Sequence, residues 1–177
     1  MPKTVHTITR SFRISQDAFD ALKEVADRKG ITVNTLVNQL FTAHRDFDRF
    51  FERMGVVKIS NATFGLLLSA GSEERIAEAG RQAGMDVPKA IILAKDGLLS
   101  FQTICGFLRM MSQYANLFEY NELDSPNGQS KIITLMHHLG SNGSLFLTQY
   151  VKAIFAEAKI DPKISSSEHS VIIEVHL

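Results

Sequence analysis

The segment Thr7–Ser15 constrains this chain more than any other. Along Thr7-Ile8-Thr9-Arg10-Ser11-Phe12-Arg13-Ile14-Ser15, Ile8, Phe12 and Ile14 fall on one face, and Thr7, Thr9, Ser11 and Arg13 on the other. Arg10 interrupts the apolar face, which sets that end of the strand near solvent or a partner. A lone strand cannot satisfy its own backbone donors and acceptors. It has to pair.

The next forty residues carry helical signals. Ser15 is a good N-cap, Asp17 puts a negative charge in the first turn, and Phe19, Leu22, Val25 and Ala26 recur as an amphipathic stripe. Arg28 and Lys29 suit a last turn, and Gly30 can take the left-handed conformation that ends a helix. Thr32 then caps a second helix through Val33, Leu36, Val37, Leu40 and Phe41. Phe47, Phe50, Phe51 and Met54 continue it to the stop signal at Gly55. Strand, helix, tight turn and helix are too little to bury two apolar stripes. Two copies would answer both problems, with their strands paired as an antiparallel ribbon and their helices intertwined. The polar, cationic face of that ribbon would then have no packing purpose.

The span Thr9–Phe47 resembles a ribbon-helix-helix DNA-binding domain of the Arc/MetJ/CopG superfamily. The strand Thr9-Arg10-Ser11-Phe12-Arg13 and the turn Val25-Ala26-Asp27-Arg28-Lys29-Gly30-Ile31-Thr32-Val33-Asn34 carry the resemblance, over under a third of the chain. It implies that Thr9, Ser11 and Arg13 enter the major groove of double-stranded DNA. The chemistry suits them: Arg13 can donate a bidentate pair to guanine, and the hydroxyls of Thr9 and Ser11 can donate or accept. It also implies that N–H groups near Thr32, Val33 and Asn34 bind a phosphate at a helix N-terminus. Arg10 departs from the apolar residue often found there; it either contacts phosphate or stays solvated.

Total charge at first opposes this. The chain has 19 Lys+Arg against 19 Asp+Glu, and a net charge of zero argues against a nucleic-acid partner when taken alone. The zero is a cancellation. Residues 1–54 hold nine cations against seven acids, which leaves ten against twelve in residues 55–177. Lys3, Arg10 and Arg13 stand in the first 13 residues with no acid.

The division therefore falls at 54/55, and residues 55–177 read as an α+β domain for effector sensing or higher assembly. Val56–Ser60 reads as a short strand, Asn61 as the cap of a helix through Leu68, and Ser72 as the cap of another that Gly84 ends. Pro88 opens a further helix, and Leu98–Ala115 is apolar enough for a largely buried one. Leu117–Leu123 and Lys131–His138 form a hairpin around the turn Ser125-Pro126-Asn127-Gly128. Gly140–Ser144 leads into another helix, a polar connection spans Lys159–Ser167, and Val171, Ile173 and Val175 mark a half-buried last strand.

This half holds no Gly-rich phosphate loop, no nucleophile–base constellation and no cysteine quartet, so neither an enzyme nor a cofactor is expected. His137 and His138 lie where a strand passes into a helix. With His169 and His176 they would make a metal or ligand site if the last strand lay beside the hairpin. The blander reading is stronger, because adjacent histidines on a strand point to opposite faces. Phe101, Phe107, Leu108, Met110 and Met111 read either as core or as the lining of an apolar effector pocket. The lone Cys105 fits buried packing and a reducing cytoplasm, and no apolar run has the length of a membrane span.

The expectation is a cytoplasmic, dimeric or tetrameric transcription regulator, its DNA binding modulated by a small-molecule effector. An antitoxin that neutralises a partner protein and an architectural DNA-binding protein are the rival readings.

Overall fold

The computed structural model describes residues 8–125 and 128–176, apart from the side chain of Arg53. The chain forms two compact units, Met1–Asp48 and Arg49–Leu177.

In the first unit, α1 (Gln16–Lys29) starts at Ser15, whose Oγ accepts from Ala18 N at 3.3 Å, and stops at Gly30 in the left-handed region at φ 65°. Helix α2 (Val33–Ala43) is capped by Thr32, whose Oγ1 accepts from Thr35 N at 3.0 Å. It runs on through a π-helical turn, His44–Asp48. Ala26 and Leu36 are buried, but much of the apolar stripe is not: Phe19, Leu40 and Phe41 are 40–55% exposed. The expected strand differs. Residues 8–15 join no sheet within this chain, since all four strands among the described residues lie between 119 and 176. A strand exists only through a partner's hydrogen bonds, and the chain offers this segment none of its own strands.

The second unit opens with α3 (Arg49–Phe51) and a 3₁₀ turn, Glu52–Met54, closed by Gly55 at φ 66°. Val56–Ser60, expected as a strand, has no regular structure and leaves Val56, Val57 and Ile59 exposed. Helix α4 (Asn61–Ser69) is capped by Ser60 rather than Asn61. Ser60 Oγ accepts from Thr63 N at 3.1 Å, while Asn61 Nδ2 donates to the Asn116 carbonyl at 2.8 Å. Helix α5 (Glu73–Met85) continues through Gly84, the expected stop. Helix α6 (Val87–Asp96) carries Pro88 in its first turn. Helix α7 (Phe101–Met110) begins three residues after Leu98, at a Ser100–Thr103 capping box, and extends through a π-helical turn to Ala115.

Strands β1 (Glu119–Asp124) and β2 (Ser130–Met136) form the expected hairpin; Pro126 and Asn127 of its turn lie outside the described residues. Helix α8 (Gly140–Glu157) comes next. Strand β3 (Lys163–Ser166) lies inside what the sequence suggests is a plain connection, and β4 (Ser170–His176) runs back beside it. The sheet is antiparallel in the order β1-β2-β4-β3. Ile133, Leu135, Val171 and Ile173 are fully buried on one face, as are Leu147, Val151 and Phe155 of α8. The second unit is thus an α+β fold with its own core.

Helices α5 and α8 approach closely because α5 presents Gly80 and Gly84 one turn apart. A Cβ at Gly80 would strike the Phe146 carbonyl, and one at Gly84 the Tyr150 carbonyl. Gly84 is therefore a contact point between helices, and stays helical because no side chain is needed there.

Candidate functional site

Two places hold the residues singled out by sequence. The first is the start of the first unit. Thr9, Arg10, Ser11 and Arg13 are all exposed, and Arg10 Nη1 donates to the Thr9 carbonyl at 3.5 Å. Ile8, Phe12 and Ile14 alternate with Thr9, Ser11 and Arg13 and are exposed at 73, 69 and 53%. The Phe12 ring sits 6.0 Å from that of Phe41 on α2. At the start of α2, the intrahelical ladder begins with Leu36 N donating to the Thr32 carbonyl at 3.0 Å. The N–H groups of Val33 and Asn34 lie ahead of that ladder, at the positive end of the helix dipole. Asn34 and Thr32 are exposed and Val33 half-buried, so an anion can reach this turn.

The second place is the end of the sheet where β2 stops and β4 starts. A cavity of about 360 Å³ there is lined by residues that include His137, His138 and His169. Antiparallel pairing sets the fourth histidine apart: Met136 stands opposite Ser170, whereas His176 stands opposite Ser130, at the far end of the strand. His176 Nδ1 and Ser130 Oγ share a hydrogen bond of 2.8 Å. The four-histidine set is therefore not assembled, and no three His, Cys, Asp or Glu among the described residues are arranged to hold a metal ion.

His137 itself is buried and fully engaged. Its Nδ1 accepts from Leu139 N at 3.2 Å, and its Nε2 pairs with Ser144 Oγ at 2.9 Å. Ser144 Oγ in turn donates to the Ser167 carbonyl at 2.5 Å. Burial lowers the His137 pKa, and the neighbouring His169 and His138 lower it further. His138 and His169 are exposed at the cavity. Ser144 had no signal in the sequence, since seven residues and a change from strand to helix separate it from its partner.

A third cluster also escaped sequence reasoning. Glu122 on β1 accepts from Tyr120 Oη at 2.6 Å and pairs with Arg109 of α7. Lys131 on β2 bridges Asp124 at 2.6 Å and reaches Glu122 at 3.6 Å. The Tyr120 hydroxyl and the Arg109 guanidinium together hold the Glu122 carboxyl below its ordinary range. Burial, with the bond to Glu122, pushes the Tyr120 phenol up. Such a network ties α7 to the hairpin and keeps its charges matched. Cys105 beside it is buried, and burial raises its thiol pKa, as expected of a packing residue.

No family model matches the chain. No curated protein is detectably similar to it either. Among the described residues, no single helix is long and apolar enough to cross a membrane.

Proposed function

We propose that this chain is a dimeric, sequence-specific DNA-binding transcription regulator of the ribbon-helix-helix kind. The observation that carries the reading is the unmatched apolar surface of the first unit. Ile8, Phe12 and Ile14 stay exposed together with Phe19, Leu40 and Phe41, in a unit with little else to bury. Exposed apolar residues at this density are unstable in water, and a second copy presenting the same faces would cover them. Pairing residues 8–15 of two copies antiparallel also satisfies the backbone groups that one copy leaves open.

Such a ribbon turns Thr9, Ser11 and Arg13 of both copies to one side. Their side chains suit base edges in a major groove, where Arg13 prefers guanine. The first turn of α2, with the N–H groups of Val33 and Asn34, suits a flanking phosphate and fixes the register. Arg10 adds a cation for the backbone. The second unit, with its separate core and the histidine-lined cavity, suits effector sensing or assembly into a tetramer. A self-contained core favours this over an antitoxin tail, which would fold upon its partner.

Sedimentation and selection of bound fragments from random double-stranded DNA test the reading together. A dimer that enriches a two-fold symmetric site is the expected result. A monomer that binds no fragment would overturn it, and binding without sequence preference would favour the architectural role.

A further inference from the structure

The hydrogen-bond chain around His137 has only one consistent placement of protons. Leu139 N–H can only donate, so His137 Nδ1 must carry a lone pair. The imidazole is then neutral with its proton on Nε2, which donates to Ser144 Oγ; the Ser144 hydroxyl donates onward to the Ser167 carbonyl, 2.5 Å away. The Glu168 carbonyl lies 3.2 Å from the same hydroxyl. Three elements meet in this chain: the end of β2 through His137, the first turns of α8 through Leu139 and Ser144, and the β3–β4 turn through Ser167 and Glu168. His137 N also donates to the His169 carbonyl at 2.9 Å, which joins the same turn to β2 a second time.

We propose that His137 is an acid-sensitive clamp: a proton gained at Nδ1 releases the first turn of α8 and the β3–β4 turn from the end of β2. A second ring proton would face the Leu139 N–H, donor against donor, and set a positive charge in a buried site. Among the described residues, the titratable groups that act on the ring are His169 and His138, and two carboxylates lie on the elements around it. His138 is its neighbour in sequence, Glu168 and His169 come from the β3–β4 turn, and Glu119 lies on β1 at the shared cavity. Helix α8 brings no charge before Lys152, and α4 none at all. The two carboxylates are exposed, so water screens what they offer an imidazolium. Because the cavity is walled by His137, His138 and His169, opening the clamp reshapes it.

Burial sets the sign of the effect. The folded-state pKa lies below the ordinary value of 6.5, so the unfolded chain takes up the proton first. The clamp's stabilisation is complete above pH 6.5 and is lost as pH falls from there through the folded-state value.

NMR of the intact protein between pH 8 and pH 5 tests this. Expected are the Nε2–H tautomer at pH 8, a His137 midpoint below 6.5, and amide shifts of Leu139, Ser144 and His169 with that same midpoint. The Nδ1–H tautomer, a ring that titrates at or above 6.5, or amides that stay still through the ring's midpoint would overturn the clamp. His137→Gln supplies a second arm, because a carboxamide offers an acceptor and a donor but gains no proton in this range. Hydrogen exchange of residues 139–144 and 167–170, corrected for its intrinsic pH dependence, should accelerate at least about tenfold in the wild type one pH unit below the midpoint, where the charged ring outnumbers the neutral one tenfold. It should stay flat in the variant; an equal acceleration in both proteins rejects the clamp.

Discussion

At the scale of single residues, Arg13 and Cys105 make opposite predictions. Arg13 is exposed and stands on the polar side of the alternation, where its removal costs the fold nothing visible. Arg13→Ala should weaken binding to the selected site by about 1–3 kcal/mol for each copy's base contact and leave the dimer intact by sedimentation. Unchanged affinity in a gel shift would sink the assignment of that side chain to the groove. Cys105, on α7, is closed to solvent, and its thiol is held up by burial. A maleimide should leave it untouched in the native protein and label it fully in denaturant. Native labelling as fast as that of a free thiol would show that α7 opens.

At the scale of elements, packing decides what local signals leave open. The caps at Ser15 and Thr32 and the stop at Gly30 were legible because each depends on the residue's own chemistry and its immediate neighbours. Gly84 shows where such reading fails. A glycine near a helix end resembles a stop, yet this one lies under the Tyr150 carbonyl and lets α8 come close. Gly84→Ala should lower stability by about 1–3 kcal/mol, read as a smaller denaturant midpoint at constant slope, because the added methyl meets backbone and the Ala153 Cβ at 2.9 Å. A midpoint equal to the wild type would mean that the two helices are free to separate. Strand β3 failed for a related reason. Lys163-Ile164-Ser165-Ser166 has one apolar residue, and its conformation comes from pairing with β4 rather than from its own preference. Val56–Ser60 is the reverse case, rich in β-branched residues but without a strand beside it.

At the scale of the whole molecule, the α+β class of the second unit was legible from the succession of helical and alternating patterns, and the fate of the histidines was not. Which histidines meet depends on the register of β4 against β2, and that pairing joins residues some forty positions apart. It brings His169 to His137 and carries His176 to the other end. The first unit poses the complementary problem, since its apolar face was legible while the surface that covers it belongs to another copy in our proposal. The neutral total charge then limits the electrostatics of binding. With Arg10 and Arg13 from each of two copies neutralising phosphates or lying in the groove, the slope of log K against log salt should be no steeper than roughly −4, at about −0.9 per neutralised phosphate. A slope near −8 would point to a cationic surface elsewhere on the chain. An acid-opened clamp in the second unit adds a lever that changes the histidine cavity without any charge change in the ribbon.

The strand order β1-β2-β4-β3 also sets a timetable for synthesis. Strand β4 lies between β2 and β3, so the inner edge of the β1–β2 hairpin stays bare until residues 170–176 have left the ribosome. Residues 16–43, whose contacts are local, emerge more than a hundred positions sooner. On the proposed dimer, a nascent chain therefore has its first unit ready to meet another copy while its second unit still lacks a closed core. A chain cut after His169 should keep the helicity of the first unit and lose cooperative unfolding of the second, as circular dichroism during urea titration would reveal. If the shortened chain kept the full transition, β4 would not be the strand that closes the sheet.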